Sequence, residues 1–114
     1  MRGVLKRYRE PAAARQELRR EIAREQNPVV RIGGALWAAY LDDPALSLEI
    51  LQELWSEVRG VNVGFQLWRP VMANVRKLPE FRDLVRKIGL VGYWREFGWG
   101  ELCKPVGATD FQCH

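Results

Sequence analysis

Four prolines, Pro11, Pro28, Pro44 and Pro79, each stand at the head of an apolar-periodic run. No other feature constrains the chain as much. Proline has no backbone N–H and a fixed φ, so it suits the first turn of a helix and disrupts a helix interior or a central strand. Asn27 and Asp43 precede two of these prolines with side-chain oxygens suited to N-capping, and Glu10 precedes a third. With an unprolined start at Asn62, successive starts lie 17, 16, 18 and 17 residues apart. Each interval holds one helix and one turn.

An offset of 35 residues places Asn27 on Asn62, Ala38 on Ala73 and Pro44 on Pro79. Apolar positions coincide too: Val30 with Phe65, Ile32 with Leu67, Leu36 with Val71, Trp37 with Met72, Tyr40 with Val75, Leu46 with Phe81 and Ile50 with Val85. A helix-turn-helix unit repeating near 34 residues is the tetratricopeptide period and predicts a stacked helical array. The runs agree. Residues 28–41 carry one charge, Arg31, with Gly33, Gly34, Ala35, Ala38 and Ala39 set among Leu36, Trp37 and Tyr40, so neighbours must cover this helix on several sides. Residues 44–58 carry two apolar rows, Leu48, Leu51, Trp55 and Val58 on one and Leu46, Ile50 and Leu54 on the other, before a stop at Gly60. Pro70 predicts a late start or a kink in the helix that begins near Asn62. Residues 79–88 place Phe81, Leu84, Val85 and Ile88 on one face, and a short last helix at 90–97 stops at Gly98, leaving an extended tail.

Charge is unevenly distributed. Residues 1–31 hold nine Lys or Arg against four Glu, while the remainder holds nine against ten acids. In the basic helix predicted at 11–26, Arg15, Arg19, Arg20 and Arg24 alternate with Glu17, Glu21 and Glu25, whose pairing offsets the positive field; nucleic acid is not the expected partner. Leu18 and Ile22 form a narrow apolar line there, able to dock on a preceding repeat or on a second copy of the chain. The longest uncharged apolar stretch, residues 32–41, is too short to span a bilayer, and no export signal precedes it. Cys103 and Cys113 are therefore expected to be reduced thiols, which points to the cytoplasm.

Catalytic chemistry finds little support. His114 is the only histidine, and Ser47, Ser56 and Thr109 have no base arrangement to activate them; Asp42 and Asp43 read as a turn and a cap. Cys103 could serve as a thiolate nucleophile, but no enzyme, cofactor or metal is expected: Cys103, Cys113 and His114 supply at most three metal ligands at an unsuitable spacing.

Residues 89–105, with Tyr93-Trp94-Arg95, Gly98-Trp99 and Cys103-Lys104-Pro105, resemble the C-terminal ending of many bacterial tetratricopeptide-repeat proteins. Leu67-Trp68-Arg69-Pro70 followed by Leu78-Pro79-Glu80-Phe81 and Leu84-Val85 extends the resemblance over about residues 65–113. Leu102 and Lys104 depart from it, standing where that group more often has an aromatic residue and an arginine. The resemblance implies a tail that closes a helical array attached to a signalling module, of the adenylate-cyclase or winged-helix regulatory type; no such module precedes the repeats in this sequence.

Together these readings predict a single all-α domain over residues 1–114, a tetratricopeptide-like solenoid of antiparallel helix hairpins. Its parts are a basic N-terminal helix at 11–26, a first hairpin at 27–60, a second at 61–89, and a last short helix with a capping tail at 90–114. Phe97, Trp99, Leu102 and Phe111 are expected to form the cap, because a terminal repeat has no successor to cover its apolar face. Trp94 is expected in the core. The expected function is noncatalytic binding of a protein or peptide on the helical-repeat surface, through Asn62, Arg69, Asn74 and Lys77 and a patch at Tyr93 and Arg95. The alternative is a regulatory end-piece of a longer signalling protein that docks on other repeats.

Overall fold

The computed structural model describes residues 10–57 and 66–114. They form six α-helices: α1 (Pro11–Arg24), α2 (Pro28–Tyr40), α3 (Pro44–Glu57), α4 (Ala73–Arg76), α5 (Pro79–Ile88) and α6 (Leu90–Phe97). A 3-10 turn, Pro70–Met72, leads into α4, and a hairpin of β1 (Cys103–Val106) and β2 (Asp110–Cys113) ends the chain. The chain is thus mostly helical with one two-stranded sheet. Among the described residues no helix is long and apolar enough to cross a membrane.

Proline opens α1, α2, α3 and α5 as expected, and Asn27 caps α2 by accepting from Val29 N at 3.0 Å. Three residues, Leu41, Asp42 and Asp43, make the α2–α3 turn. Asp42 adopts the left-handed conformation (φ 61°), the Asp42 and Asp43 N–H groups return to Ala39 O and Ala38 O, and Asp43 Oδ1 accepts from Leu46 N to cap α3. At Pro70 the helical run is interrupted: Gln66 is helical, a turn follows, and helix resumes as the 3-10 turn and the single turn of α4, while the beginning of that run lies outside the described residues. The first basic helix ends at Arg24, two residues short of its expected end. The expected start at Asn62, the Val58 position and the stop at Gly60 lie outside the described residues.

Successive helices share their apolar flanks. Ala14, Leu18 and Ile22 of α1 are buried, as are Gly34, Ala35, Ala38 and Ala39 of α2, whose small side chains let α3 lie close. Both rows of α3 are covered, with Leu46, Leu48, Ile50, Leu51 and Leu54 buried and Trp55 half-buried. α2 also touches the 3-10 turn, and α3 touches both α4 and α5, so contact extends past the immediate neighbour. Leu18 and Ile22, expected to be free for docking on another repeat or copy, are instead buried within their own chain. Arg15 and Arg19 hold α1 there: Arg15 donates to Leu41 O at 2.9 Å, and Arg19 pairs with Asp43 through two bonds of 3.0 and 2.8 Å. A bidentate guanidinium–carboxylate pair fixes orientation as well as attraction.

The segment after Gly98, expected to be an extended tail, is the hairpin, and its cysteines are not free thiols. Cys103 and Cys113 form a disulfide between facing strand positions, so reduced cysteines no longer argue for the cytoplasm, and Cys103 in this form offers no thiolate nucleophile. Their Cα separation of 4.1 Å marks a non-hydrogen-bonded pair, and the next position along, Lys104–Gln112, is then hydrogen-bonded. The bond from His114 N to Leu102 O, at 2.9 Å, continues that alternation. By the same alternation Pro105 and Phe111 turn their backbone nitrogens outward. Pro105 has no N–H to offer, and the Phe111 N–H is taken by Asp110 Oδ1 at 2.8 Å, so both sheet edges are closed to a further strand at this position.

The hairpin covers the end of the array by inserting Phe111, which is fully buried. Phe111 meets Trp94 and Trp99 at ring-centroid distances of 6.2 and 5.7 Å, and Trp94 continues through Trp68 to Phe81. Trp94, expected in the core, is half-buried at the centre of this cluster, and Trp99 and Leu102 are half-buried in the cap. Phe97 is not part of it. It is 68% exposed, stacked on Tyr93 at 4.9 Å on the outer side of α6, because Leu90, Val91 and Trp94 take the inner side. Phe111→Ala should therefore destabilise the fold by about 3–5 kcal/mol in denaturant titration, whereas Phe97→Ala should stay within about 0.5 kcal/mol of the wild type. Replacing both cysteines with serine should cost about 2–3 kcal/mol, the loop-closure value for a ring of this size, and reducing agent should lower the melting temperature of the wild type but not of that variant.

Candidate interaction surface

One face of α2 remains only partly covered. The helix turns Gly34, Ala35, Ala38 and Ala39 inward, which leaves Leu36, Trp37 and Tyr40 on the other side with Val71 of the 3-10 turn. These four residues line an open, almost wholly apolar hollow. Tyr40 is 69% exposed at its rim and meets Trp37 edge to face at 5.8 Å. Val29 and Val30 extend the exposed apolar surface toward the start of the helix.

The polar residues expected to hold a partner have varied positions. Asn62 lies outside the described residues. Arg69 is exposed, with its Nε donating to Gln66 Oε1 at 2.5 Å. Asn74 has a structural role: its Nδ2 donates to Ala39 O at 3.0 Å and to Asp42 Oδ1 at 3.4 Å, joining α4 to the end of α2. Lys77 is exposed and lines a cavity beside the hairpin. Tyr93 is 59% exposed and Arg95 exposed on α6, and the structure sets Phe97 beside Tyr93, moving it from the expected cap to the expected patch. Helical spacing carries that signal: Tyr93 and Phe97 are four residues apart, one stripe away from Leu90 and Trp94.

Two charged residues that sequence reasoning passed over govern the C-terminal end. Arg76 is buried at 5% exposure, and it donates to three backbone oxygens: His114 O at 2.7 Å, Leu67 O at 2.9 Å and Arg69 O at 2.9 Å. Burial lowers its pKa, yet an arginine remains cationic at any physiological pH. Asp110 binds the hairpin to α5 through Arg82 and Arg86, at 3.0 Å each, and the Arg86 guanidinium lies 5.1 Å from the Phe111 ring centroid. The Phe111 N–H is the largest influence on its carboxyl and lowers the pKa; desolvation opposes it, and Arg82 and then Arg86 lower it further.

A carboxyl with a depressed folded-state pKa stabilises the fold fully above its unfolded value of about 3.9 and loses that contribution as the pH falls through the lower folded value. Asp110→Asn should therefore lie furthest below the wild type in stability at neutral pH, with the gap closing below about pH 4 in denaturant titrations across the acid range. Compared with protein-family models, curated proteins and solved structures, the chain shows no match.

Proposed function

We propose that the protein is a noncatalytic interaction scaffold that binds an apolar segment of a partner, a peptide or an amphipathic helix, on the exposed side of α2. The apolar hollow at Leu36, Trp37, Tyr40 and Val71 carries this reading, because an exposed tyrosine packed on a half-buried tryptophan at the edge of a covered core is the composition of an anchor pocket. Its rim residue Tyr40 and the adjoining Val29 lack covering neighbours, while the inner side of the same helix is buried.

The same reading takes the helices as a tetratricopeptide-like stack. Pro44 and Pro79, 35 residues apart, both open helices, and the corresponding pairs Leu46 with Phe81 and Ile50 with Val85 are buried in both. Asn74 donates to the carbonyl of Ala39, its counterpart one period earlier. The correspondence is incomplete, since Tyr40 is exposed where Val75 is buried. The resemblance of residues 65–113 to the ends of bacterial tetratricopeptide-repeat proteins keeps a regulatory end-piece as the second reading, but with Leu18 and Ile22 buried such an end-piece would dock through another surface.

An array of amphipathic helical peptides probed with the purified protein tests the proposal. Tyr40→Asp should fold with an unchanged melting temperature and bind the captured peptides roughly tenfold more weakly. Capture of the same peptides with undiminished affinity by this variant would refute the α2 surface.

A further inference from the structure

The hairpin and the α4–α5 turn enclose a second surface, of different character. Two cavities, of about 340 and 680 Å³, adjoin there and share Lys77, Val106, Gln112 and Cys113 in their walls. Across the pair the lysines and arginines in the walls are Arg76, Lys77, Arg82 and Lys104 against a single acidic side chain, Asp110, with His114 also in the wall of the second cavity. That acid is already bound by Arg82 and Arg86. The side chains of Lys77 and Lys104, both exposed, have no hydrogen bond or ion pair among the described residues. The trough thus presents two ammonium groups unpaired among the described residues, together with a buried guanidinium, and the exposed side chain of Val106 forms an apolar wall.

We propose that this trough is a second binding surface, which takes an acidic segment of a partner protein, with carboxylates at Lys77 and Lys104 and an apolar side chain against Val106. Charge complementarity selects the occupant: residues 32–114 carry no net positive charge, so the local excess of cations comes from placement and not from bulk composition. At the Pro105–Phe111 position neither strand offers a free N–H, which favours recognition by side chains there over addition of a β-strand. Of the four arginines of α1, Arg15 and Arg19 are bound to the α2–α3 turn and Arg20 to Glu17, and Arg24 lines neither cavity. The proposal is independent of the α2 hollow, because the two surfaces share no lining residue.

The probe is a fluorescein-labelled peptide of alternating Glu and Leu, followed by anisotropy with the full chain. A Kd of about 10 μM is expected, weakening severalfold between about 50 and 500 mM salt. Lys77→Glu with Lys104→Glu should weaken binding at least about tenfold, while the charge-matched Arg24→Glu with Lys87→Glu, outside both cavities, should change it less than about twofold at the same salt. Equal loss in both double variants would mean attraction to net charge alone and would overturn the site. So would tighter binding of a single-stranded oligonucleotide than of the peptide, or retention of peptide affinity by the Lys77/Lys104 variant. Tyr40→Asp should leave this titration unchanged, which separates the trough from the α2 surface.

Discussion

The helices α2 and α3 each have more than one apolar flank, and that requirement shapes the rest of the molecule. A helix such as α2, with a single charge in thirteen residues, cannot be stable against one neighbour alone, nor can α3 with its two rows. Laying helices side by side covers each flank with the next element but leaves one uncovered flank at each end. At the first end α1 supplies a narrow line of Ala14, Leu18 and Ile22 and exposes its charged side to water. At the other end α6 is followed by a strand pair, which covers the remaining flank.

A hairpin of four-residue strands has little stability of its own in water, so closure of this kind needs reinforcement. Three independent attachments provide it. The disulfide restricts the unfolded strands, Phe111 anchors one strand in the aromatic cluster, and Asp110 ties that strand to α5 through two arginines. Arg76 adds a fourth from below. A guanidinium can satisfy several carbonyls at once in a fixed planar arrangement, and here the carbonyls come from the turn before α4 and from the residue after β2. A lysine at that position would offer a point charge and could not span the same three acceptors. Hairpin, turn and helix are therefore positioned by one another, and the trough between them inherits its shape from these contacts.

Helix starts were legible in the sequence because proline and cap residues act within a few positions of themselves, and the structure places Pro28, Pro44 and Pro79 where local chemistry requires them. Burial along α3 and α5 was legible for the same reason, since periodicity is a local property. The hairpin was not. Lys104 and Pro105 break any alternation in β1, and the strands depend on a covalent bond and on packing against α5 and α6, neither of which strand propensity reports. Nor could Arg76 be distinguished from the surface arginines, because its carbonyl partners converge only after folding. Phe97 is a different case: its spacing from Tyr93 already placed both outside the Leu90–Trp94 stripe, and the expectation of a cap overrode that signal.

How the charges are disposed separates structural surfaces from surfaces available to a partner. Arg15, Arg19, Arg31, Arg76, Arg82 and Arg86 each hold two elements together, and the acids they meet, Asp43, Glu53 and Asp110, sit at turns, at the rim of a helix or on the hairpin. Arginine is suited to that work because its donors fan out in a plane. Lysine, a mobile point charge, has no such place among the described contacts, and Lys77 and Lys104 lie together in the walls of one trough. The division places rigidity in the arginines and adaptability in the lysines. The aromatic residues divide in the same way: Trp68, Trp94, Trp99 and Phe111 close the array, while Trp37 and Tyr40 remain at the edge of an open apolar hollow. On the proposed reading, the side chains left at the surface are the ones that meet a partner, and the two surfaces differ enough in charge to engage different parts of it.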